Sequence, residues 1–541
     1  DTPVHNDSRI TFFVDGRMTM LSMCQHFLKA RRYIYLANWG MTPEIELVRG
    51  RDHRAGPDGS HEQEKLLAEL RTYGLQEADI AFWCTQALSV KNVLGYALNK
   101  GVEVKVLLWG SPNFLTHTKA KEAHDLLTQI GISCLLDESA LALKHPTESL
   151  HQKISIVDGT HAFVGGVDPM IEREDFDRWD TQEHLFSSPL RRTSEGTSPH
   201  PWHDAHTLIE GPAAGDVELN FQQRWNDVIH KKRLDANQLV PEHPTAPPVE
   251  GNSIVQVART IPRETYSFAP DQGIQGIAQL YAKAFGNAQH FIYLENQYFW
   301  LHAFGGLDIA FLGFDNPEME TNIKRIGKAL RQGAALAIVL PDHPNAGRAF
   351  TDAALARLKQ EAPDAFTKGR IQAFCLATSE TQEDGEHYRP IYVHAKVAII
   401  DDTWATVGSG NLNNRGMLND VEMNVAALDP TLARGLRMML WAEHLGLYSE
   451  AELFDLAYFL GQQHQSSGDT VRGENIWQSV QEMLGDPHAG LHMMVKRAQD
   501  NLLRYKARQP LLGQLLPYLT AEEATQQGLN FREEHGWIEE E

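Results

Sequence analysis

The sequence predicts an α/β protein built as two similar α/β/α sandwich halves, each with a mixed central sheet, related by pseudo-twofold symmetry and followed by a helical C-terminal tail. Three observations carry this. At 541 residues the chain is too long for one hydrophobic core. Helix and strand patterns alternate along it, which implies α/β layers. A loose internal repeat relates its first and second parts.

The repeat is read in order along the chain. A helical pattern leads into YIYLANW at 33–39, and another leads into FIYLENQYFW at 291–300. Next comes a helix that ends in Gly and passes to a strand, LNKGVEVKVLLW at 98–109 and LRQGAALAIVL at 330–340. Last come two β-branched runs, HQKISIVDG at 151–159 and HAKVAIIDD at 394–402. Stretches rich in Pro, Ser, Thr and Glu at 187–201, 240–253 and 376–390 read as surface loops or joints. The middle one marks the boundary, giving a first half at 1–245, a second at 246–445 and a helical extension at 446–541.

Composition narrows the function classes. Hydrophobic residues at 42% and charged residues at 22% are ordinary for a globular chain, and no apolar run is long enough to span a bilayer. A formal charge of -22 speaks against a protein that wraps nucleic acid, since that affinity rests on Lys and Arg against phosphate. Cys24, Cys84, Cys134 and Cys375 are widely spaced with no CxxC pair, so neither a zinc cluster nor a disulfide framework is expected, and each reads as a buried small hydrophobe. A start at Asp1 without Met, and no transmembrane segment, fit a secreted or periplasmic location, with the cytoplasm left open.

The last pair of the repeat carries chemistry. Alternate side chains share a strand face, so His151 stands beside Lys153 and His394 beside Lys396. Asp158 and Asp401 fall at odd spacing and cannot extend those rows; Asp158-Gly159 is a hairpin turn signal, and both Asp residues read as supports. After the turn the chain runs back, returning Gly165-Gly166 and Gly408-Ser409 next to the two His-x-Lys pairs, with Asp168 and Asn411 following at matching positions. One such motif is expected about 0.3 times by chance in a chain of this composition, and the pair with its trailing glycines on the order of 0.0002 times. Two half-buried strands with incidental polar ends would account for a single copy but not for both.

These paired HxKxxxxD motifs, followed by GG and GS, resemble those of the phospholipase D superfamily, in which two such halves form one active site. RWDT at 178–181, PWHDAHTLIEGPAAGDV at 201–217, FQQRWN at 221–226 and IYLENQYF at 292–299 are similar to segments of the eukaryotic-type catalytic core, so the resemblance spans roughly residues 10–445. It implies a phosphodiesterase that cleaves the headgroup side of glycerophospholipids such as phosphatidylcholine. The products are phosphatidic acid and a free alcohol, with transphosphatidylation to other alcohols as a second outcome. It also implies that His151 is the nucleophile that becomes a phosphohistidine and His394 the general acid/base; the residues alone do not order the two.

Lys153 and Lys396 supply two cations for the phosphodiester, and no Asp/Glu cluster with metal-ligand spacing is visible beside them, so no metal or cofactor is expected. Each imidazole needs a partner to fix its tautomer. Asp180 and Glu422, 29 and 28 residues beyond His151 and His394, are the candidates, with Glu183 a rival for Asp180. Gly166 and Ser409 are expected to line the floor, and Asp168, Asn411 and Trp179 to contact substrate. Trp39, Trp109, Phe299 and Trp300 could line a lipid cleft or cradle a choline ammonium, although core packing is the commoner use of such residues. Expected partners are a phospholipid and, transiently, a membrane surface, with the chain a monomer. The competing readings are a superfamily nuclease, a phosphatidyltransferase of the cardiolipin synthase kind, and, in another class, an inactive lipid-binding protein.

Overall fold

The computed structural model describes residues 2–53, 61–111, 118–141, 148–174, 177–180, 183–191, 199–241, 247–301, 317–342, 348–461, 470–530 and 537–538. Its first half contains β1 (His5–Val14), β2 (Tyr33–Asn38), β3 (Glu103–Trp109), β4 (Ser133–Asp137), β5 (Ile154–Val157), β6 (His161–Gly165), β7 (Glu172–Glu174), β8 (Asp177–Asp180), β9 (His200–His203) and β10 (Ala205–Glu210). Pairing runs β4-β3-β2-β5-β6-β10-β1, parallel across the first three and antiparallel thereafter.

The second half contains β11 (Ser253–Ile261), β12 (Ile274–Gln275), β13 (Phe291–Asn296), β14 (Ala335–Val339), β15 (Ile371–Gln382), β16 (Gly385–Val393), β17 (Lys396–Ile400), β18 (Trp404–Gly408) and β19 (Glu422–Leu428). Its pairing, β15-β14-β13-β17-β18-β19-β11, repeats the first half strand for strand and in the same senses. Strands β1 and β11 also pair across an irregular register, which joins the two sheets. Central strands such as YIYLAN are buried at every position, as parallel strands covered on both faces require.

Both hairpins between the motif strands turn in the left-handed region. Asp158 and Gly159 have φ of 54° and 72°, and Asp401 and Asp402 have 54° and 52°. Two positive-φ residues match the turn twist that a tight antiparallel hairpin needs.

Two expectations change. The stretch 376–390 is not a loop but most of the β15–β16 hairpin; its Thr, Tyr and Ile residues alternate well enough to pair from Leu376↔Ile391 to Gln382↔Gly385. The C-terminal region is not helical throughout. Beside the helices Glu450–Gly461, Thr470–Leu484, Pro487–Lys506 and Ala521–Gln526, a strand β20 (Leu515–Pro517) pairs with β15 and covers that sheet edge. Cys24, Cys134 and Cys375 are buried and Cys84 half-buried, all as free thiols. Among the described residues no helix is long and apolar enough to cross a membrane.

Candidate active site

Where the two halves meet, each motif is stitched to the strand of the other. The His151 N–H donates to the Val421 carbonyl at 2.8 Å, and the His394 N–H donates to the His203 carbonyl at 2.8 Å. The two imidazoles thereby face each other, ring centroids 6.2 Å apart and planes 62° apart. Two motifs 243 residues apart in sequence converge on one spot.

The carboxylate partners are crossed between halves. Glu422 Oε1 lies 3.0 Å from His151 Nδ1, and Asp204 Oδ2 lies 2.7 Å from His394 Nδ1. When these carboxylates are ionised they can only accept, and each Nδ1 then carries the proton while each Nε2 keeps its lone pair. This corrects the expected pairing of Glu422 with His394. Glu422 begins β19, whose neighbour Val421 is bonded to His151, so its side chain reaches the other half.

For Asp180, only the backbone of β8 is described, pairing with Pro201; its side chain and that of Trp179 lie outside the described residues. Glu183 accepts from Ser188 Oγ. Asp204 was missed because equal spacing from the motifs was sought, whereas the chain between β6 and β10 is much longer than that between β18 and β19. A usable signal exists: Asp204 and Glu422 each stand eight residues before the proline that opens a helix, Pro212 and Pro430.

Glycine at 166 makes room for this arrangement. A Cβ there would sit 1.9 Å from Asp204 Oδ1. Ser409, its counterpart, bonds to the Met423 backbone, its Oγ accepting from the N–H at 3.0 Å. Asp158 and Asp401, however, stand at the far ends of the strands. Asp158 accepts from the N–H groups of Arg31, Arg32 and Tyr33, and Asp401 from those of Gln289, His290 and Phe291. With about 3.3 Å of rise per residue they cannot touch the imidazoles, so the motif's Asp is a fold support and not a catalytic group.

Both lysines are buried. Lys153 Nζ donates to the His151 carbonyl at 2.8 Å, pairs with Asp168 at 3.2 Å and lies 5.6 Å over Trp39. Lys396 Nζ donates to Gln297 Oε1 at 3.0 Å and to the His394 carbonyl, while Asn411 Nδ2 shares the same Gln297 oxygen at 3.2 Å. Asp168 also accepts from Asn38 at 2.9 Å.

Trp39 meets His151 edge-on at 6.0 Å and Trp202 meets His394 at 4.4 Å. Phe299 belongs to the second half's hydrophobic core, Trp300 is buried against Phe350, and Trp109 packs on Trp39.

Burial and the two lysines set the electrostatics of the imidazoles. Burial, then Lys153 and Lys396, hold His151 well below the usual imidazole range, and burial and the same two lysines do so for His394. Burial pushes Asp204 up to about 6 against the pull of Lys396. Burial and the neighbouring Asp420 push Glu422 well above the usual carboxylate range. A bound phosphate diester would offset the lysine field that depresses both imidazoles.

Behind Asp204 lies a group that the sequence reading did not see. Asp15, His184, His203 and Glu443 place one ligand atom each within 4.8 Å of one another, and His203, Glu295 and His444 do the same. Within it His184 Nε2 lies 3.1 Å from Asp15 Oδ2, His203 Nδ1 3.0 Å from Asp15 Oδ1 and 3.5 Å from Glu443 Oε2, so the imidazoles and carboxylates partner one another. These are O and N donors suited to a divalent cation, and they lie behind Asp204 rather than beside the two lysines. The group is coupled to the site, because the Asp204 N–H donates to Asp15 Oδ1 at 2.9 Å and the Asp15 N–H donates to the Asp204 carbonyl at 2.8 Å.

Comparison with known proteins matches two family models: "Phospholipase D" over residues 83–305 and "Cardiolipin synthase, PLD-like domain" over residues 283–442. The chain is 27% identical over 538 residues to phospholipase D alpha 1 of Cynara cardunculus, covering 78% of this chain and 63% of that protein. It is 28% identical over 529 residues to phospholipase D alpha 2 of Oryza sativa subsp. japonica, covering 77% and 62%. The chain thus spans under two thirds of the length of these relatives.

Among solved structures it is similar to the phosphatidylserine synthase of Haemophilus influenzae Rd KW20, at a TM-score of 0.45 and 14% identity over 93% of this chain and 95% of that one. It is also similar to Nuc, a phospholipase D family member from Salmonella typhimurium, at a TM-score of 0.22 and 19% identity over 34% and 88%. With the two family models together running from residue 83 to residue 442, across both motifs, the chain belongs to the phospholipase D superfamily.

Proposed function

We propose that the chain is a phospholipase D that releases the headgroup alcohol of glycerophospholipids such as phosphatidylcholine and leaves phosphatidic acid. Residues 1–245 and 246–445 each contribute half of the site, with 446–541 an extension. The observation that carries this reading is the pair of imidazoles 6.2 Å apart, each backed by a carboxylate of the opposite half.

In the first step Nε2 of His151 attacks phosphorus, the P–N bond forms, the P–O bond to the headgroup breaks, and the imidazolium of His394 gives its Nε2 proton to the departing oxygen. In the second, neutral His394 takes a proton from water, or from an acceptor alcohol, whose oxygen attacks phosphorus and releases His151. Lys153 and Lys396 balance the charge on the non-bridging oxygens in both steps. Glu422 and Asp204 hold the tautomers and stabilise each imidazolium as it forms.

Asp15, His184, His203 and Glu443 are the residues that would hold a divalent cation, which would supply positive charge to fix the segment bearing Asp204. Proton and phosphoryl transfer are assigned here to side chains alone.

Incubation with phosphatidylcholine and a short alcohol tests the reading. Choline and a phosphatidyl-alcohol are the expected products. Cleavage of plasmid DNA without choline release would point instead to the nuclease, and condensation of two phospholipids to the synthase suggested by the second family match.

A further inference from the structure

The residue between His151 and Lys153 points away from the site into a polar network. Gln152 is fully buried, as are Asn220, Arg224 and Asp137 beneath it. Its Oε1 accepts from Asn220 Nδ2 at 2.7 Å and from Arg224 Nη1 at 2.9 Å. Arg224 continues to Asp137 Oδ2 at 3.2 Å and to the Tyr266 hydroxyl at 2.9 Å, and that hydroxyl donates to Asp137 at 2.7 Å. At its other end Gln152 Nε2 donates to the backbone carbonyl of Glu422 at 3.1 Å. The chain of bonds starts in the first half's sheet and ends on the residue whose carboxylate holds His151.

The fold does not require this network. The second half repeats the same elements, and its equivalent positions follow from the register: Gln152 corresponds to Ala395 in the motif, Asn220 and Arg224 to Met438 and Ala442 in the helix opened by Pro430, and Asp137 to Leu376 on β15. All four of these are buried and apolar. At these four positions the side under His394 is apolar, and the polar cluster behind Asp204 is built from other residues; under His151 a buried arginine, two amides and a carboxylate occupy them. Burying such groups is costly unless each is bonded, and here the bonds run from the sheet to the backbone of Glu422, a link with no counterpart at the equivalent four positions.

We propose that Gln152, anchored by Arg224, is a positioning residue for His151: it fixes the backbone of Glu422 so that this carboxylate stays on Nδ1 and Nε2 stays aimed at phosphorus. The inference rests on the reading of His151 as the nucleophile, and it assigns the geometry of that half-site to a polar clamp whose four positions are apolar in the other half. It also gives FQQRWN, through Arg224, a part in the reaction.

The test reads the first chemical step alone. In H394A the acid is missing, but phosphatidyl-p-nitrophenol needs none, because nitrophenolate leaves unprotonated. A single burst of nitrophenolate then reports attack by His151, and mass spectrometry locates the adduct. Adding Q152M or Q152E to H394A is expected to slow the burst about 10- to 100-fold, the loss expected when a reacting group is misaimed. Q152E keeps an acceptor for Arg224 and Asn220 and loses the Nε2 donor, which reaches the Glu422 carbonyl at 3.1 Å and Asn220 Oδ1 at 3.3 Å, so it carries the test if Q152M does not fold.

A purely structural role is separated by a double-mutant cycle. In an H394A/E422Q background Q152E is expected to add less than about twofold, since both changes act on one link. A full-rate burst in Q152E, or a slowing that is the same with and without E422Q, overturns the proposal. Absence of any His151 adduct in H394A itself removes the nucleophile reading and the proposal with it, a result distinct from a full-rate burst.

Discussion

Nδ1 of His151 lies 3.0 Å from Oε1 of Glu422, a residue 271 positions further along the chain. The mirror-image contact joins His394 to Asp204 at 2.7 Å. Neither half can therefore complete its own imidazole, and the interface between halves is the site. E422Q and D204N keep the shape but can no longer become the anion that fixes the tautomer and stabilises the imidazolium. Each is expected to lower kcat by about 10²-fold or more with little change in KM, as loss of acid/base assistance does. Steady-state kinetics on phosphatidylcholine check this.

G166A tests the space rather than the charge. The added Cβ would meet Asp204 Oδ1 at 1.9 Å, so the carboxylate must leave His394. A fall in kcat of about 10²-fold is expected, the usual consequence of an ångström of misplacement. In G408A the Cβ meets the Asn424 backbone at 2.5 Å, and a side-chain shift cannot relieve that contact. That variant is expected to lose stability by about 1–3 kcal/mol, read by denaturant unfolding.

D158A and D401A separate the motif's acid from its chemistry. Each carboxylate accepts three backbone N–H groups at the foot of a neighbouring strand. Losing it is expected to cost about 1–3 kcal/mol in stability. The folded fraction should retain kcat within about threefold, which a melting curve and an active-site titration together decide.

Stability should depend on pH through two buried neighbours with opposite signs. Burial holds His206 down to about 3 from 6.5, so its contribution is present above pH 6.5 and is lost as pH falls toward 3, where the unfolded chain binds the proton more readily. Burial raises Asp204 to about 6 from 3.8, so its contribution is present below pH 3.8 and is lost as pH rises through 6. Urea midpoints across pH 3–8 are expected to fall less steeply on the acid side in H206N than in the parent. In D204N the decline between about pH 4 and 6 attributed to Asp204 should vanish.

Much of the fold was legible because the motif strands are written twice with the same spacing. HQKISIVDG and HAKVAIIDD fixed the two halves, the hairpin turns and the side-by-side His and Lys. The carboxylates were not legible in that way. They come from a different strand pair, separated from the motifs by connections of unequal length, so spacing from His151 and His394 led to Asp180 for a role that Asp204 fills at His394. Their equivalence shows only when the repeat is aligned on Pro212 and Pro430. Crossing between halves is a tertiary fact with no local signature, and so is the meeting of Asp15, His184, His203 and Glu443, which are scattered over more than 400 residues. The stretch 376–390 misled because its polar composition resembles a loop, although its alternation suits an edge hairpin.

The most direct test of the account is where the phosphorus goes. With phosphate-labelled phosphatidyl-p-nitrophenol, H394A is expected to release one equivalent of nitrophenolate and then stall with a phosphatidyl group on Nε2 of His151, seen by mass spectrometry of the digested protein. A burst with no label on His151, or continued turnover in H151A, would contradict it.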